Sequence, residues 1–86
     1  MSQMRPKPLT PAQIRAGRAL LDWSANELAR EAALGLATIR RAENSKNGTS
    51  LTAANDLALR RAMETAGVEF LDENGEGPGV RLRRRR

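Results

Sequence analysis

Two four-residue stretches, "TPAQ" at 10–13 and "SANE" at 24–27, share one grammar, and that grammar constrains the chain more than any other feature. In each, a Thr or Ser oxygen can accept from the helix amide three residues on. The Gln or Glu at that third position reaches back to the N–H of the cap. Pro11 suits the first helical position, which needs no amide hydrogen. The second box opens a helix two residues after the first one ends, so the first helix is short. Gly35 then interrupts the second pattern before "LATIRRAE" begins a third helix. Helices this short hold only when their apolar faces are buried against one another.

The apolar spacing says which faces those are. Ile14, Gly17, Arg18 and Leu21 fall at i, i+3, i+4 and i+7, with Leu20 widening the stripe. Leu28, Ala29 and Ala32 face inward from the second helix, Leu34 follows, and Leu36, Ile39, Ala42 and Glu43 run along one side of the third. Arg18 and Glu43 are thus opposite charges on or beside apolar stripes, each in need of a partner. This predicts an Arg18–Glu43 ion pair across the first and third helices.

"NSKNGTS" is a loop of turn formers. A fourth helix is predicted from about Thr52 to Ala66, with Leu59, Ala62, Met63 and Ala66 as its stripe and Gly67 as its left-handed stop. Beyond it, "VEFLDENGEGPGVRLR" alternates around Asn74 and Gly75, predicting a β-hairpin with strands near 68–72 and 80–83. A lone hairpin is marginal in water, so it must cover the fourth helix or pair with another chain, which makes its edge a route to a homodimer. Trp23 and Phe70, the only Trp and Phe, read as core, since a stacking platform for bases needs several exposed aromatics. The expected fold is a mainly α bundle of four helices with a C-terminal β-hairpin. Residues 1–9 read as a flexible arm, 10–66 as the helical domain with a bihelical unit at about 24–43, 67–83 as the hairpin, and 84–86 as a basic tail.

Composition narrows the function. Eighty-six residues make one domain with no room for a deep active site. Without Cys or His, thiol chemistry, zinc-thiolate sites and the commonest general base are absent. No enzyme, cofactor or metal is expected. No run approaches a membrane span, and "MSQMRPKPLT" has no apolar leader core, so the default expectation is cytoplasmic. The charge of +5 is unevenly placed. Residues 1–50 carry eight Lys or Arg against four Asp or Glu, residues 51–80 carry two against six, and "RLRRRR" adds five arginines. A basic first half and a basic tail suit an anionic partner.

Two short helices joined by a tight turn, the second rich in arginine, form a helix-turn-helix reading. The stretch "IRAGRALLDWSANELAREAALGLATIRRAEN" resembles the XRE-type (Cro/repressor-like) helix-turn-helix transcriptional regulators. The likeness extends from residue 10 to about 66. It is carried by Arg18, by "WSANELA" from Trp23 to Ala29, and by Thr38 to Glu43 as "TIRRAE". The tail "AGVEFLDENGEGPGVRLR" looks like that of a compact proteobacterial subgroup. The resemblance implies a lambda-repressor-like bundle and pairs Arg18 with Glu43, as the stripes do.

It further implies that Gly35 to Arg41 lie in the major groove of double-stranded operator DNA. Thr38 would meet a phosphate or a thymine methyl, and Arg41 or Arg40 would reach guanine O6 and N7. Ser24 would stand near the backbone, where helix amides favour phosphate. Lys46 and Asn47 would touch phosphate from the following loop. Leu36 and Ala37, apolar at the helix tip, suit thymine methyls or a protein partner. The alternative function is therefore an antiactivator that docks on a transcriptional activator through Leu36 and Ala37. The turn position usually held by glycine is Ala33, where left-handed backbone would cost about 1 kcal/mol.

Overall fold

A computed structural model describes residues 7–83. Both capping boxes close. Thr10 Oγ1 accepts from Gln13 N at 3.0 Å, while Gln13 Oε1 accepts from Thr10 N at 3.0 Å. Ser24 Oγ accepts from Glu27 N at 3.0 Å, and Glu27 accepts from Ser24 N at 2.7 Å. That N–H holds the Glu27 carboxyl below its ordinary pKa. These caps start α1 (Pro11–Leu20) and α2 (Ala25–Ala32), followed by α3 (Leu36–Asn44) and α4 (Ala53–Thr65). Strands β1 (Val68–Leu71) and β2 (Gly79–Leu82) pair antiparallel, Val68 opposite Leu82 and Phe70 opposite Val80. None of these helices is long and apolar enough to cross a membrane.

α1 and α2 end by the same device. Trp23 N bonds back to Arg18 O at 3.0 Å and Leu34 N to Ala29 O at 2.9 Å, closures that require a left-handed residue between helix and turn. Asp22 and Ala33 fill that place, each with φ of 58°. Aspartate tolerates this conformation; alanine has no compensating side-chain bond. Ala33→Gly should therefore raise stability by about 0.5–1 kcal/mol, part of the relief being offset by the entropy of glycine in the unfolded chain. Urea unfolding measures it, and a destabilised variant would show that the turn is not strained.

The core comprises Leu9, Ile14, Leu28, Ala29, Ala32, Ile39, Ala42, Leu59, Met63 and Val68, all buried. Trp23 and Phe70 are half-buried against it. Gly17 lies so close to α4 and the hairpin that an added Cβ would stand 3.0 Å from Met63 Sδ and 3.5 Å from Phe70. Leu20 departs from its expected place. It is 40% exposed, while Leu21, at the i+7 position of the stripe, packs on the core as expected.

The expected flexible arm, 1–9, ends earlier than residue 9. Leu9 is buried, and its N–H donates to Asp56 Oδ1 at 2.9 Å. Lys7 O accepts from Arg60 Nη2 at 2.7 Å, and the buried Arg60 guanidinium lies 5.5 Å from the Phe70 ring centroid. A single Leu after two prolines carries no periodicity, so α4 had to be in place before its role was visible. Residues 1–6 of that arm, and the basic tail at 84–86, lie outside the described residues.

The hairpin covers α1 and α4 rather than standing free. Val68 is fully buried, and Gln13, itself 6% exposed, donates from Nε2 to Leu71 O at 3.1 Å and to Gly79 O at 3.0 Å. One amide thus joins the α1 cap to the hairpin. Its part in the capping box was legible in sequence, but its bonds to residues 58 and 66 positions away were not.

Candidate nucleic-acid interface

α3 has two faces with different duties. Ile39, Ala42 and Glu43 are buried, and Leu36 is half-buried against the core. On the far side Ala37, Arg40, Arg41 and Asn44 are all exposed. Their spacing, i, i+3, i+4 and i+7, makes one continuous outward stripe. Thr38 is half-buried at its edge. The helix begins at Gly35, which supplies no side-chain cap, so its first amides are left to other acceptors.

The inner face is held from α1. Arg18 Nε donates to Glu43 Oε2 at 2.8 Å and Nη2 to Oε1 at 3.0 Å, a bidentate pair with Glu43 7% and Arg18 26% exposed at the side chain. Arg18 Nη1 also donates to Trp23 O at 3.1 Å, tying in the turn before α2. The bond to Glu43 raises the Arg18 pKa above its ordinary value, against the opposing effect of burial. Arg15, three residues earlier on α1, donates from Nη1 to the backbone carbonyl of Glu43. Glu43 is therefore gripped at its carboxylate and at its carbonyl, which fixes the last turn of α3 against α1. At that end Ser45 Oγ donates to Arg41 O at 2.7 Å.

Each remaining sequence-predicted residue has a definite place. Gly35 and Ala37 are exposed at the start of α3. Lys46 and Asn47 are exposed in the loop after it. Ser24 is exposed at the start of α2, its oxygen already accepting from Glu27 N. The structure joins Arg18 to Glu43 and sets Ala37, Arg40 and Arg41 on one face. Leu36 stands apart from that face because it leans on the core.

Arg15 was missed by sequence reasoning, although its i, i+3 spacing to Arg18 on one helix was the available signal. The ion pairs among the described residues join Arg18 to Glu43, Arg60 to Glu64 and Arg81 to Glu69. Arg15, Arg40, Arg41 and Lys46 take part in none of them. The outer face of α3 and its C-terminal end thus carry cations that no carboxylate of the described chain neutralises. Such a surface suits a polyanion, and its guanidinium forks suit acceptors arranged in pairs. No protein-family model matches this chain, and none of the curated proteins compared with it does.

Proposed function

We propose that the chain binds duplex DNA sequence-specifically through the outer face of α3. It would act as a transcriptional regulator of the XRE type, with a lambda-repressor-like helix-turn-helix. The observation that carries the reading is the outward stripe Ala37, Arg40, Arg41 and Asn44 on a helix whose opposite face is locked by core packing and by Arg18–Glu43. A groove-reading helix needs this combination: donors that point away from the domain and a mounting that does not yield. In this reading Arg41 or Arg40 contacts guanine, Ala37 faces thymine methyls, and Lys46, Asn47 and the start of α2 contact phosphates. A homodimer would place two such helices on half-sites about 34 Å apart.

The alternative, an antiactivator docking on an activator protein through Leu36 and Ala37, has less support. Leu36 gives part of its surface to the core, which leaves less of it for a partner.

The test is selection of preferred duplexes from a randomised pool, followed by titration of the winner and of unrelated duplexes across salt concentrations. Arg41→Ala should lose about 1–3 kcal/mol on the preferred duplex and relax one base position. Lys46→Ala should weaken all duplexes alike and lower the salt slope by about 1. A pool that yields no preferred sequence, or an Arg41→Ala variant that binds the winner as wild type does, would remove this reading.

A further inference from the structure

We propose that Arg15 belongs to the same surface as a phosphate-contacting residue, an inference that rests on the DNA reading above. Arg15 is exposed, and its guanidinium sits on the peptide joining Glu43 to Asn44, at the last turn of α3. Asn44 stands on the outward stripe, and Lys46 follows two residues later in the loop. Arg15 therefore adds a cation from α1 to the end of α3 where the loop cation already lies.

The chemistry favours phosphate over base. Arg15 comes from another helix and meets α3 at its end, so it does not share the stripe that points into a groove. A guanidinium carries five N–H donors in a rigid fork. One of them is committed to Glu43 O, and no ion pair among the described residues uses the rest. The bond to the carbonyl already restricts a side chain that would otherwise lose its rotamer freedom on binding. Such a group can take a phosphodiester oxygen at little further entropic cost. A purely structural Arg15 would instead only satisfy the C-terminal carbonyls of α3, where a cation is favourable. The two roles differ in their response to salt.

The experiment uses the full chain, the duplex obtained by selection and an unrelated duplex of the same length. Arg15→Gln removes the charge and keeps a polar side chain with N–H donors. Its log K against log salt should be flatter by about 0.9, so a fourfold rise in salt should cost it about 3.5-fold less affinity than wild type. The change should be equal on both duplexes, because phosphate contacts carry no direct sequence information. Arg15→Lys should keep the wild-type slope. On unmodified protein, either duplex should protect Arg15 from an arginine-selective dicarbonyl reagent, read by peptide mass; this decides the matter should Arg15→Gln fail to fold. An unchanged slope for a folded Arg15→Gln, or equal Arg15 modification with and without duplex, overturns the inference. If wild type itself prefers no duplex, the DNA reading fails and takes the inference with it. If wild type keeps its preference while Arg15 shows neither effect, only the inference fails.

Discussion

A chain ending at Gly67 should melt about 15 °C or more below the full chain. Val68 is fully buried, a contribution of about 1.5–3 kcal/mol. Phe70 and Val80, half-buried against the same core, add about 2 kcal/mol together. The bonds from Gln13 to Leu71 O and Gly79 O add about 1 kcal/mol each. These contacts are gross gains set against the chain entropy of ordering the hairpin. By comparison with opening one large buried site in a core, the expected net loss is about 3 kcal/mol. In a domain of this size each kcal/mol shifts Tm by roughly 4–8 °C. Thermal unfolding followed by circular dichroism checks the value. A truncated chain melting within a few degrees of the parent would show that the hairpin does not brace the helices.

Glu43→Ala should cost about 3 kcal/mol, the lower end of the range for breaking a buried pair, because the Arg18 side chain keeps 26% of its exposure. The loss comes from stranding a guanidinium that then has Trp23 O as its one remaining partner among the described residues. Glu43→Gln should lose less, since its amide oxygen still accepts from one arm of the fork. Denaturant unfolding of the two variants separates the cases. A Glu43→Ala loss below about 1 kcal/mol would place the pair with exposed ion pairs, which contribute little. On the proposed DNA reading, the same substitution should weaken sequence preference more than affinity for unrelated duplexes, because α3 would lose its seat while its outward cations remain. A variant with unchanged preference would separate the mounting of α3 from its reading.

Much of the helical skeleton was legible in sequence because its signals are local. Thr10 with Gln13 and Ser24 with Glu27 satisfy amides three residues away, whatever the rest of the chain does. Gly35 marked the break between α2 and α3, and the family resemblance singled out Ala33 as the turn position. The pairing of Arg18 with Glu43 was also legible, because two lone charges on apolar stripes leave few other solutions. Leu21 took the core place that its i+7 spacing gave it, whereas Leu20, one position off the stripe, misled because apolar character alone does not bring a helix-end residue inward.

By itself, then, the sequence determined four helices, two of them opened by capping boxes, a C-terminal hairpin, their apolar faces and the uneven placing of charge. The tertiary structure decided the burial of Leu9 over α4, the bonds of Gln13 to the hairpin, the grip of Arg15 on Glu43 O, and how much of Leu36 stays outside. The physical reason is reach. Caps and periodicity act between residues three or four apart, whereas these contacts join atoms that only the packing of α1, α4 and the hairpin brings together.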